Sequence, residues 1–142
     1  RGLMRGWLQH LRLCADDAVF GGSAVIARAD KGDDAKTHVR WGRLEPAEAQ
    51  AQLLTLQRLV QQGQHQCWPV PPRSGWLLMS RDHSKAGSGV AAFRDSWPRE
   101  RQDPQQRLCF GVNIEADLLL QSQGFERACA LLYAPMLKAL LR

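Results

Sequence analysis

No apolar run in the 142-residue chain approaches the ~20 residues of a membrane-spanning helix, and its start carries no signal-peptide pattern. The four cysteines, Cys14, Cys67, Cys109 and Cys129, are widely spaced and form no C-x-x-C pair. Neither a zinc site nor a thioredoxin-type dithiol is therefore indicated. Cys14 and Cys129 fall on apolar helical patterns, where a thiol packs as a small hydrophobe, so the expectation is a reduced protein of the cytoplasm. The chain also lacks G-x-x-x-x-G-K-[ST], a G-x-G-x-x-G after a strand, and a G-x-S-x-G elbow. Those absences leave phosphate-loop, dinucleotide-binding and α/β-hydrolase readings unsupported. No internal repeat or low-complexity tract is present.

What remains is ordinary globular material. Hydrophobic residues make up 44% and charged residues 23%, which argues against disorder. The length suits one domain, residues 1–142, and is short for two. The chain opens on Arg1 with residues that already read as helix, which suggests a C-terminal fragment of a larger subunit. Net charge is +5 with a pI near 9.4, a weak pointer toward polyanionic surroundings.

Residues 2–15 place Leu3, Trp7, Leu11, Cys14 and Ala15 at helical spacing, the mark of an amphipathic helix. Residues 23–29 and 36–44 read as two strands joined by a longer turn, a hairpin. In the second strand Thr37, Val39 and Trp41 point one way, and His38, Arg40 and Gly42 the other. Residues 45–64 are the clearest helix: Pro46 suits its first position, Glu45 and Glu48 its positive end, and Ala49, Leu53, Leu56 and Val60 its apolar stripe. Val25, Val39, Leu53, Leu56 and Val60 are expected to be buried.

After the extended segment around the prolines at 69–72, residues 74–86 read as a buried helix capped by Ser74, and residues 90–97 as a shorter one. Residues 94–107, with both charge signs and two prolines, read as a solvated connection. Residues 107–114 read as a third strand, and 125–142 as a closing helix kinked or divided at Pro135. The fold class expected is α/β (α+β), a mixed sheet flanked by helices.

Candidate sites meet simple structural alternatives. Gly87-Ser88-Gly89 lacks the flanks of a phosphate loop and reads as a linker. His65, Cys67 and His10 do not make a four-ligand zinc set, and Asp82-His83 supplies no nucleophile. Asp30, Asp33 and Asp34 in the hairpin loop have the oxygen ligands Mg²⁺ prefers, but they also suit a turn, which is the favoured reading. No metal and no cofactor are expected.

The order helix, hairpin, glutamine-bearing helix is similar to the restriction-endonuclease-like core of RecB-type nucleases. That core carries an acid in a pattern like I-D-R-x-D on its first strand and D-Y-K-T-G on its second. Laid on this chain, Ile26 to Asp30 resembles the first strand with Ala27 where the acid belongs. His38 then stands at the second acid, Arg40 at the lysine and Gly42 at the glycine, and Gln50 or Gln52 resembles the helix glutamine. Metal-dependent phosphodiester cleavage needs a placed carboxylate, so Ala27, His38, Arg40 and Gln50 resemble a nuclease site that has lost its chemistry.

A nuclease-like domain without its acids resembles the RecC C-terminal domain family, from the gamma subunit of exodeoxyribonuclease V (RecBCD). Residues 5–15, 44–63, 70–79 and 126–140 resemble that family in order along the chain. The resemblance implies a non-catalytic scaffold or DNA-handling element in recombinational repair of double-strand breaks. RecB and RecD would be its partners, with DNA met through the assembled complex, no membrane and no small-molecule substrate. Arg94, Arg99, Arg101 and Arg107 are the candidate contacts to nucleic acid or partner. The competing readings are an active metal-dependent nuclease of the same fold and an unrelated basic interaction domain.

Overall fold

The computed structural model describes residues 2–16, 19–27, 37–66, 68, 70–122 and 124–141. Helix α1 (Gly2–Asp16) leads into strands β1 (Gly22–Ala27) and β2 (Thr37–Gly42) and then α2 (Pro46–Gly63). Five further helices follow: α3 (Ser74–Ser84), α4 (Ser88–Glu100), α5 (Pro104–Phe110), α6 (Ala116–Gln121) and α7 (Phe125–Lys138). The protein is thus α+β and mostly helical. Its sheet, among the described residues, is one antiparallel pair rather than a mixed sheet. The chain divides into two compact units, residues 1–61 with 138–142, and residues 62–137.

In the first unit the helical stripe of α1 forms as its spacing demands: Trp7, Leu11 and Cys14 are buried, and His10 with them. They face the inner side of the hairpin. β1 and β2 pair with Val25 opposite Val39 and Ser23 opposite Trp41. Val39 and Trp41 are buried, while His38 and Arg40 are exposed, so the two faces expected of β2 are the two faces it has. Gly6 lets α1 approach closely, because a Cβ there would collide with Val25 Cγ2. The outer edge of β2 is covered by the C-terminal residues: Gly42 N–H donates to the Ala139 carbonyl at 2.9 Å and Leu141 N–H to the Arg40 carbonyl at 2.8 Å.

α2 buries less than its stripe implies. Ala49 is buried, Val25, Leu53 and Leu56 are half-buried, and Val60 stays 67% exposed. The stripe of α2 is real, but its burial is partial and stops short of Val60.

The second unit corrects the sequence-based expectation in several places. Residues 107–114 are not a strand: α5 runs through Phe110 and ends at Gly111 in the left-handed region (φ 86°). The Asp103 side chain caps α5 by accepting from Gln105 N–H at 2.8 Å, with Pro104 in the first turn. That local start signal outweighs the β-rich composition of 107–110. Residues 94–107 are not a solvated loop either, since α4 continues to Glu100 with Pro98 inside it. Of the two alternatives for Pro135, division of the closing helix is excluded, because Pro135 lies inside α7.

Ser74 does not cap α3. It is the first helical residue, and its buried hydroxyl has no hydrogen-bond partner. The free N–H groups at this helix start are met by Glu100 from α4, whose carboxylate accepts from Arg73 N–H at 2.8 Å and Ser74 N–H at 2.6 Å. A carboxylate at the positive end of a helix is favourable for charge as well as for hydrogen bonding. α3 and α4 turn on Gly87 (φ 79°) and meet at Gly89, where a Cβ would run into the Leu78 carbonyl. Gly87-Ser88-Gly89 is therefore a tight helix corner rather than a flexible linker. Phe93, Trp97, Phe125 and Tyr133 fill the core between these helices.

Cys14 and Cys129 are free and buried, as packing thiols should be. Burial, with the Glu126 carboxylate adding to it, pushes the Cys129 thiol up to about 12. Cys109 is disulfide-bonded, a departure from the all-thiol expectation; its partner lies outside the described residues.

Candidate functional site

Period-two alternation on the hairpin sorts the positions that resemble a nuclease site. Ile26 pairs with His38 and Ala24 with Arg40, so the outward face carries an imidazole and a guanidinium beside two apolar side chains. Ala24, His38 and Arg40 are exposed and Ile26 is 67% exposed. Ala27 holds the register position opposite Thr37. Neither strand contains an aspartate or glutamate. Gln50 is exposed on α2, and among the described residues no side-chain hydrogen bond or ion pair joins it to His38 or Arg40. Asp30, Asp33 and Asp34 fall outside the described residues.

Among the described residues no group of three or more His, Cys, Asp or Glu is arranged to hold a metal ion. His65 sits exposed in the turn after α2, and Cys67 lies outside the described residues. Asp82 is engaged with the backbone, accepting from Gly89 N–H at 2.7 Å.

The four candidate arginines fall on α4, at its C-terminal end and on α5 in the second unit, and two have counter-ions. Arg94 Nε meets Asp117 Oδ1 at 2.8 Å, and Arg101 reaches Glu115 Oε1 at 2.9 Å. Arg99 and Arg107 sit exposed in the last turns of α4 and α5, where a cation complements the helix dipole. The sequence shows the arginines but not their partners, which lie 23 and 14 residues further on.

The feature least expected is around His10. Its ring is fully buried, stacked on Trp7 at 5.3 Å between centroids and flanked by Trp41 at 5.7 Å and Phe20 at 5.9 Å. Ser23 Oγ lies 2.9 Å from Nδ1, and Cys14 Sγ 3.6 Å from Nε2. Burial lowers the His10 pKa below its ordinary value, with a hydrogen bond to the Gly42 backbone acting the other way. A cysteine, histidine and serine in contact suggest nucleophilic chemistry, yet no substrate reaches a ring with no exposed surface. The cluster is a polar core. Its signal was present in the sequence, since His10 stands on the Trp7, Leu11, Cys14 stripe.

These features define an α+β domain whose two-faced hairpin presents an imidazole and a guanidinium on its outward face. The RecC C-terminal domain model matches residues 1–83, more than half of the chain, and the chain belongs to that family. RecC is a component of RecBCD, the exodeoxyribonuclease V complex of DNA repair. No curated protein and no solved structure matches the chain.

Proposed function

We propose that the chain is a non-catalytic domain of the RecC subunit, with a nuclease-like core that has lost its catalytic acids, acting as a scaffold within RecBCD. The observation that carries this reading is the outward face of the hairpin. A hard divalent cation needs carboxylate oxygens there, and that face offers His38 and Arg40 beside Ala24 and Ile26 instead. RecB and RecD are its partners in this reading, and DNA is met through the assembled complex in the cytoplasm.

Protein contacts are favoured over DNA contacts because Arg94 and Arg101 are paired with carboxylates. A guanidinium already neutralised by its neighbour has less to offer a phosphate. Arg99 and Arg107 remain for weak, salt-sensitive contact, each neutralised phosphate adding about 0.7–0.9 to the log–log salt slope.

The test has two arms. Labelled single- and double-stranded DNA incubated with the chain and Mg²⁺ or Mn²⁺ should remain intact, and the chain should associate with RecB or RecD at physiological salt. Metal-dependent products that disappear on Asp30→Ala would overturn the non-catalytic reading. Binding to DNA but to neither subunit would overturn the scaffold.

A further inference from the structure

The second unit holds a cavity of about 210 Å³ between α3, α4, α6 and α7. Leu78, Val90 and Leu120 line it together with Asp82, Arg94, Asp117 and Glu126. Leu78 is buried and Val90 and Leu120 are half-buried, whereas the four charged residues are exposed. The cavity therefore has an apolar floor and a charged rim. Three carboxylates against one guanidinium leave the rim at −2, on a chain whose net charge is +5.

The rim is only partly satisfied from within. Arg94 is taken by Asp117, and one oxygen of Asp82 accepts from Gly89 N–H. Asp82 and Glu126 have no cationic partner among the described residues. Carboxylates alone would indicate nothing more than a solvated surface. The apolar floor beneath them changes that, because it matches an occupant with an aliphatic stem and a cationic head.

Size narrows the class. Sites for drug-sized ligands run to about 300–1,000 Å³, so this cavity is small for a nucleotide and suited to one side chain. Charge excludes a phosphate, which would face the carboxylates. We propose that the cavity receives a single arginine or lysine side chain from a protein partner, with the stem on Leu78, Val90 and Leu120 and the cation between Asp82 and Glu126. The proposal deepens the scaffold reading by naming the partner's chemistry, but its test does not depend on RecB or RecD.

The test is a titration of the methyl-labelled chain with Nα-acetyl-arginine methylamide, followed by nuclear magnetic resonance. Nα-acetyl-citrulline methylamide, of similar shape but uncharged, serves as the control. The methyl signals of Leu78, Val90 and Leu120 should move with the arginine probe and much less with the citrulline probe. Glu126→Gln, which keeps the side chain's shape, should weaken the arginine response about two- to fivefold. Leu120→Trp, checked for an intact amide spectrum, should abolish it by filling the floor. Equal responses to both probes, shifts confined to other residues, or no shift at saturating probe would overturn the proposal and leave the association with RecB or RecD to be judged separately.

Discussion

The two units solve the problem of buried polar groups in opposite ways. In the first, an imidazole is enclosed by three aromatic rings and kept neutral, with Ser23 and Cys14 beside its nitrogens. In the second, a charged carboxylate is brought to backbone amides, as Glu100 closes the start of α3. Burying a charge is costly unless it is paired or hydrogen-bonded, so the first unit removes the charge and the second supplies donors for it. The difference shows in what each unit should tolerate. The first should be sensitive to aromatic volume and to acid, and the second to loss of a single long-range cap.

The largest expected effect breaks the first unit. Trp41 is fully buried against Trp7 and His10, and Trp41→Ala should destabilise it by about 3–5 kcal/mol. Hydrogen exchange would show whether the damage is local: amides of β1 and β2 should lose protection while those of α3 and α4 keep it. Equal loss in both would mean that the units do not respond separately.

A smaller effect is expected in the second unit. Glu100→Ala leaves two backbone N–H groups at the start of α3 without their acceptor, at a cost of about 1–3 kcal/mol. Urea unfolding measures it, and Glu100→Gln, which keeps one acceptor oxygen, should recover part of the loss. If Glu100→Ala were neutral, the cap would be a surface contact without energetic weight.

The mildest effect is a slope rather than a step. Because the folded-state pKa of His10 lies below its ordinary value, the unfolded chain binds a proton more readily than the folded one. The stability from neutral His10 is complete above about pH 6.5 and is lost as pH falls from there toward the folded-state pKa. One proton limits the slope to about 1.4 kcal/mol per pH unit. Unfolding curves across that window should show it, and His10→Gln should flatten it. An unchanged slope in the variant would show that His10 is not its source.

The same contrast explains what was readable in the sequence. In α1 and β2 the determinants are local and periodic: Trp7, Leu11 and Cys14 recur at helical spacing, and Val39 and Trp41 alternate with His38 and Arg40. Both patterns became faces of the fold. In the second unit the deciding contacts lie far apart in the chain. The cap that Ser74 was expected to provide comes from Glu100, and the partners of Arg94 and Arg101 come from Asp117 and Glu115. Residues 107–114 misled for a related reason. Their composition favours a strand, but among the described residues no strand lies in the second unit to pair with them, and the Asp103-Pro104 start turns them into helix. Val60 shows the converse: its place on the stripe was correct, but a stripe says nothing about what covers it.

The edge contacts of β2 also set an order of events during synthesis. The outer side of that strand is met by Ala139 and Leu141, so a nascent chain that has emerged through residue 61 carries an open strand edge. The 76 residues of the intervening unit, 62–137, must be made before the edge can close, a wait of roughly 4–15 s at ordinary translation rates. An unpaired edge is a template for another chain. The interval between synthesis of the hairpin and of residues 139–141 therefore leaves this edge open to self-association, and slower elongation through 62–137 would lengthen it.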